Sequence, residues 1–172
     1  MQVPEKLINF RVYKDGTDLI GLADVTMPSF DAVTDTVKGA GLAGEIDSPV
    51  IGHFKSMEVQ LNWRTITKDN SFLAKPESVN LDLRGAQQVY DSSTGKFVTS
   101  KLKVVVRGVP KKFEMGKLDM GTSVGASNTL EVNYIKVTVD DKEVIELDKY
   151  NYIFKVNGED FQAAVREALG LA

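Results

Sequence analysis

The chain has 172 residues, 42% of them hydrophobic and 26% charged, with a net charge of −3 and no cysteine. This is the composition of a folded chain with a core, and it excludes disulfides, thiolate metal sites and cysteine nucleophiles. Bulk charge gives no support for avid binding to nucleic acid. The opening MQVPEKLINF has no apolar stretch of signal-peptide type, and the longest aliphatic run, Val104-Val105-Val106, is far too short to cross a bilayer. Cytosolic synthesis without a membrane anchor is the expectation.

From the N-terminus onward the chain alternates with period two. Leu7–Lys14 and Asp18–Met27 flank Asp15-Gly16 and predict an opening hairpin. Met57, Val59, Leu61 and Trp63 interleave with Glu58, Gln60, Asn62 and Arg64, the pattern of a half-buried strand. Asp69–Ala74 reads as a short helix stopped by Pro76. Val79, Leu81 and Leu83 form a further strand, joined through Ser92-Ser93-Thr94-Gly95 to one carrying Leu102, Val104 and Val106. Leu130, Val132 and Tyr134 continue the pattern, after which the apolar phase slips to Ile135, Val137 and Val139. A slip of one residue predicts a bulge or a change of sheet. Asp140-Asp141 closes a hairpin onto Glu143–Leu147, and Tyr150, Tyr152, Phe154 and Val156 alternate again. About eight strands are expected, as in a sandwich or barrel. A C-terminal helix over about 159–169 is predicted from the stripe Phe161, Ala164, Val165, Ala168 and Leu169, with Asp160 at its start and Gly170 at its end. The fold class is mainly β, an antiparallel sandwich or barrel-like domain over 1–172 with a flanking C-terminal helix.

Two catalytic fingerprints match by letter alone. Gly39, Gly41 and Gly44 fit G-x-G-x-x-G. Pyrophosphate binding needs that motif between a buried strand and a helix N-terminus. Here Pro49 and Gly52 oppose a helix, so no dinucleotide cofactor is expected. Gly121-Thr122-Ser123-Val124-Gly125 fits G-x-S-x-G, but the one histidine, His53, lies upstream, whereas the nucleophile elbow requires it downstream. A single histidine near Glu45 and Asp47 is a poor zinc set. Trp63 lies on the apolar side of its strand, which favours a core role over sugar stacking. No catalytic, metal or cofactor residues are assigned. A hydrolase built on Ser123 and a monomeric carbohydrate-binding domain built on Trp63 remain as alternatives.

Lys38–Gly52 reads as a long glycine-rich loop that is not simply hydrophilic. Long loops without structure of their own are uncommon in compact domains unless they have a function. Its apolar residues would lie bare on a monomer, and its glycines permit close backbone approach. Gly39, Gly41, Leu42, Gly44, Ile46, Val50 and Ile51 are therefore the candidate inter-subunit docking residues. Unclosed sheets add edge strands that invite pairing with another chain.

In its last third the chain resembles the major tail tube proteins of contractile-tailed bacteriophages and R-type pyocins. The residues that carry this are Tyr134-Ile135-Lys136-Val137, Lys142–Asp148 (KEVIELD), Val156-Asn157-Gly158-Glu159-Asp160 and Leu169-Gly170-Leu171. Asn9-Phe10, Asp15-Gly16, Gly21, Val25–Pro28, Lys38–Leu42 and Val106-Arg107-Gly108 extend it over nearly the full length. Ala40 interrupts the family's glycine run, Asp141 replaces a common hairpin glycine, and Lys68–Glu77 and Lys111–Asn128 fall outside the resemblance. The resemblance implies a structural tube subunit that forms stacked homohexameric rings, with no enzymatic activity. It implies a contractile sheath protein outside, DNA or tape-measure protein transiently in the lumen, and baseplate and tail terminator proteins at the ends. It also implies a place in a virion tail or phage-tail-like particle assembled in the host cytoplasm. The tube of a related secretion system is the nearest alternative.

Overall fold

A computed structural model describes residues 1–171. In chain order the elements are β1 (Gln2–Lys14), β2 (Thr17–Asp18), β3 (Leu22–Thr26), β4 (Ala32–Val37), β5 (Ile46–Phe54), β6 (Glu58–Trp63), α1 (Lys68–Phe72), β7 (Val79–Asp91), β8 (Lys96–Glu114), β9 (Ser127–Val139), β10 (Lys142–Asp148), β11 (Ile153–Val156), β12 (Glu159–Asp160) and α2 (Ala163–Ala168). Ten strands form one antiparallel sheet with the order β12-β11-β10-β9-β8-β7-β1-β2. Strand β6 branches from β9, and β3 pairs with β6. Strands β4 and β5 form a separate two-stranded ribbon.

The branch folds the sheet into two layers. Ser127–Glu131 of β9 pair with β6, while Tyr134–Val139 pair with β10. Between them Asn133 is skipped in the β8–β9 register, opposite Arg107/Gly108. The phase slip in the sequence is therefore both a bulge and a change of partner. Gly108 permits the bend, since a Cβ there would lie 2.6 Å from the Glu131 carbonyl oxygen.

The alternation decides what lies between the layers. Met57, Val59, Leu61 and Trp63 from β6 and its approach face Val79, Leu81, Leu83, Val104, Val106, Leu130, Val132, Ile135 and Leu147, all buried. Each such side chain contributes about 1.5–3 kcal/mol when fully buried. A polar chain crosses this core. The Trp63 indole N–H donates to Asn128 Oδ1 at 2.8 Å, Asn128 Nδ2 donates to the Asn70 carbonyl at 3.1 Å, and Asn70 Nδ2 donates to the Thr65 carbonyl at 3.1 Å. Asn70 and Asn128 are almost completely buried, so each amide needs these partners. Their effect is to fasten α1 to the core.

Four expectations change. Among the described residues there are twelve strands, not about eight, because the alternation signal passes over the two-residue β2 and β12 and the solvent-facing β4 and β5. The opening hairpin closes through Asp15-Gly16 (φ 49° and 84°) but pairs only Tyr13–Lys14 with Thr17–Asp18. The chain then turns at Gly21 (φ 95°), and β3 crosses to β6. The C-terminal helix is confined to Ala163–Ala168, because Glu159–Asp160 are drawn into the sheet as β12. No residue of α2 is buried, and Phe161 and Leu169 of its predicted stripe are exposed. Finally, Lys38–Gly52 is not an unstructured loop. Its second half is β5, and only residues 38–45 connect β4 to β5.

Candidate functional site

The chain's chemical fingerprints lie outside the strand and helix contexts that their motifs require. Gly39, Gly41 and Gly44, with φ of 137°, 92° and 145°, sit at the tip of the β4–β5 hairpin. They join strand to antiparallel strand, so no helix N-terminus stands behind them to receive a phosphate. Ser123 is exposed in a loop that runs into β9, which is not the strand-turn-helix of a nucleophile elbow. His53 is exposed on β5, and Trp63 is in the core. Among the described residues no group of three or more His, Asp or Glu side chains is placed to hold a metal.

Surfaces stand out instead, and three are unusual. The first is an open edge. Strand β1 pairs with β7 from Gln2 to Lys14, but on its other side β2 meets only Tyr13 and Lys14. Apart from the Phe10 N–H, which donates to Asn9 Oδ1, and Pro4, which has no N–H, Gln2–Arg11 thus present backbone groups with no strand partner on that side among the described residues. Register shifts at Pro4/Lys6 and Leu7/Asn9 bulge this edge, a device that limits indiscriminate pairing. The core-side face of β1, β7 and β8 also runs past the cover of β3. A hollow of about 250 Å³ opens there between Leu7, Phe10, Val25, Met27, Leu102 and Val104.

The second surface is the sheet face turned away from the core. The register places Arg11, Arg84 and Lys103 in one row, with Asp82 and Lys136 in the next. Most of its cations are matched locally, two of them by the one carboxylate of Asp82. Arg11 pairs with Asp18, Arg84 with Asp82 at 3.0 Å, Lys103 with Asp82 at 3.9 Å, Lys101 with Asp141 at 3.7 Å and Lys136 with Glu143 at 3.7 Å. Arg107 lies over the Tyr134 ring, 5.2 Å from its centroid, and donates to Asn80. The hydrogen bond from Arg84 to Asp82 raises the arginine pKa still further, so this charge is fixed at any working pH. Exposed pairs of this kind add little stability. Their consequence is a face dense in charge with few free cations.

The third surface is the β4–β5 hairpin. Leu42, Ile46, Val50 and Ile51 are all exposed, Ile51 at 66%. Pro49 sits opposite Thr34, where its missing N–H costs least in a two-stranded ribbon. The register jumps between Ala32–Phe54 and Thr34–Pro49, so Val50–His53 bulge outward. Gly52, at φ 69°, makes room for Gln162. A Cβ there would come within 1.7 Å of the Gln162 amide, which donates to the Ile51 carbonyl at 2.6 Å. The seven predicted docking residues thus share one projecting element, split between its tip and β5. Sequence reasoning missed the partner that orients it, Gln162. A lone polar residue at the head of a weak helix carries no signal that it is 2% exposed.

Comparison with known proteins gives these surfaces a context. The family model described as "Phage tail tube protein FII" matches residues 4–170. The chain belongs to that family. It is similar to the major tail tube protein of Serratia phage KSP20, 25% identical over 173 residues and covering 99% of each chain. It is likewise similar to the tail tube protein of Escherichia phage P2, 29% identical over 174 residues, covering 99% of this chain and 100% of that protein. Among solved structures, a chain of the sheath/tube terminator of an extracellular contractile injection system, PVC, in the extended state, superposes with a TM-score of 0.53. The superposition has 12% identity and covers 76% of this chain and 94% of that one, a likeness of fold. The chain is a tail tube protein with a mainly antiparallel β fold, as its C-terminal motifs imply, and its place is a virion tail.

Proposed function

We propose that this tail tube protein acts as a single tube domain that closes into homohexameric rings, and that the rings stack into the hollow inner tube of a contractile tail. The observation that carries this reading is the open edge of β1 in a chain that matches a tube family from end to end. A ring in which each sheet extends its neighbour's satisfies that edge without closing the sheet inside one subunit. The core layer, α1 and the β4–β5 hairpin then lie away from the channel, and the polar face of β1, β7, β8, β9 and β10 lines it.

The paired charges suit that lining. A polyanion is held when free Lys and Arg displace its counterions. Here most of the cations already have carboxylate partners, so DNA passing in a phage, or a tape-measure protein before it, meets few free positive charges and slides. A contractile sheath surrounds the tube, and terminator and baseplate proteins end it. The function is mechanical: the tube is driven through the target envelope. Gly39, Gly41, Leu42, Gly44, Ile46, Val50 and Ile51 of the hairpin form an inter-subunit docking element.

Negative-stain electron microscopy of the purified protein across a concentration series tests the reading, with rings of six or stacked tubes expected. A monodisperse monomer at high concentration, together with its absence from intact particles, would overturn it. Bulky substitutions at Gly41 and Gly44 are expected to impair polymerisation in a subunit that stays folded. Normal tubes from that variant would remove the hairpin from the interface.

A further inference from the structure

The most exposed apolar side chains lie in a stretch outside the family resemblance. Leu118 is 87% exposed and Met120 96%, in the loop between β8 and β9. The loop is ordered by its own contacts. The Lys117 N–H donates to the Val124 carbonyl at 2.8 Å, and Gly116 packs so closely on Val124 that a Cβ would meet its oxygen at 2.2 Å. It is also stitched to two others. The Val124 N–H donates to the Arg64 carbonyl, the Arg64 N–H to the Gly21 carbonyl, and the Trp63 N–H to the Ala126 carbonyl. Ile20 and Ile66, both exposed, belong to the same group of loops.

These loops sit at the far end of β6 from the hairpin. The β4–β5 hairpin enters β6 at Glu58, its base closed by the Lys55 N–H on the Asp31 carbonyl at 2.8 Å, whereas the loop group gathers at Trp63. Six strand residues separate the two by about 17 Å. The molecule therefore carries two unpartnered apolar surfaces pointing from opposite ends of one rigid strand.

Their charges differ in sign. Residues 31–55 hold four carboxylates, Asp31, Asp35, Glu45 and Asp47, against Lys38 and Lys55, which pair with Glu45 and Asp31 and leave Asp35 and Asp47 in excess. The loop group and the first turn of α1 hold Arg64, Lys68 and Lys117 against Asp69 and Asp119, a small positive excess. Among the described residues no ion pair involves Arg64, Lys68, Lys117, Asp35 or Asp47. Apolar residues rimmed by unmatched opposite charges favour a heterologous contact, one face on a different face of the next copy.

We propose that the hairpin of one copy, through Leu42, Val50 and Ile51, seats on the Ile20–Ile66–Leu118–Met120 surface of the next copy. This contact links copies head to tail. The proposal rests on the tube reading and supplies the receiving half of its docking element.

The absence of cysteine makes the test clean. Wild-type protein is first checked for tubes, and failure there counts against the tube reading itself. Tubes are then formed from Ile51→Cys/Leu118→Cys and from each single variant, oxidised, and run on non-reducing gels. The double variant is expected to give a ladder of covalent multimers and the single variants none. Dimers from Ile51→Cys alone would mean that hairpin meets hairpin, and tubes of the double variant without a ladder would mean that the surfaces do not meet. Either result overturns the proposal. In a second arm, Leu118→Glu and Ile51→Lys are each expected to leave a folded subunit, by circular dichroism, with at least a tenfold loss of tubes. The two changes in one chain are expected to restore them. A Leu118→Glu protein that polymerises like wild type, or a double variant no better than either single one, also rejects it.

Discussion

Strand β6 and strand β5 are neighbours in the chain and similar in content, yet they end in opposite conditions. In β6 and its approach, Met57, Val59, Leu61 and Trp63 are at most 1% exposed. In β5, Ile46, Val50 and Ile51 lie in the open. What separates them is the number of layers each one meets. Strand β6 lies between β3 and β9 with a second layer across its face, whereas β5 has β4 alone. A two-stranded ribbon by itself buries too little to be stable in water, and this one is anchored only at its base and through Gln162. The apolar residues of β6 thus hold one subunit together, while those of β5 become useful when a second subunit arrives.

Mutations can break that contrast, beginning with the largest expected effect. Trp63→Ala removes a filled core position and leaves Asn128 without its donor. A loss of about 3–5 kcal/mol is expected, read as a lowered urea midpoint, with tubes lost because the subunit unfolds. Asn128→Ala keeps the packing but strands the indole N–H. About 1–3 kcal/mol is expected, with hydrogen exchange rising first at Lys68–Phe72, where α1 is tied down. Ile51→Asp is the opposite case. Stability should move by no more than about 0.5 kcal/mol, as for an exposed site, while sedimentation shows polymer converted to smaller species. A large drop in its melting temperature would mean that the hairpin does belong to the subunit's own core.

The smallest effect concerns pH. A hydrogen bond from Arg166 holds the Asp160 carboxyl below its usual range. A depressed pKa stabilises the fold above the ordinary aspartate value, and the benefit disappears as pH falls through the folded one. Asp160→Asn should therefore melt slightly lower than wild type at neutral pH, and the difference should vanish on acidification below the carboxylate range. A constant offset would assign the effect to packing.

What could be read from the sequence follows the same division. Alternation is a record of one-sided burial. It located β6, β7, β9 and the middle of β8, because each has a core on one side. It set the slip in β9 after Tyr134, whereas the bulge is at Asn133 and Tyr134 lies under Arg107 on the other face. The Asp15-Gly16 and Asp140-Asp141 turns were legible from turn chemistry, and their positive φ angles follow. The β4–β5 ribbon was not, because neither of its faces is buried and its residues show no period; its apolar content was visible and its shape was not. The C-terminal stripe suggested more helix than forms, since those residues find no layer to pack on within the subunit. Residues 115–126 gave no pattern at all. Their order comes from Gly116, Val124 and Arg64 meeting across the fold, which local sequence does not record.

The latch of Gln162 on the Ile51 carbonyl joins positions 111 residues apart. It makes the pose of the projecting ribbon depend on the residue that leads into α2. In a repeating column any tilt of that ribbon is copied at every level, so a few degrees in one molecule become a visible curvature over many. A bulky appendage placed after Ala172 would then betray itself in the straightness of the filament before any change in the melting of its building block.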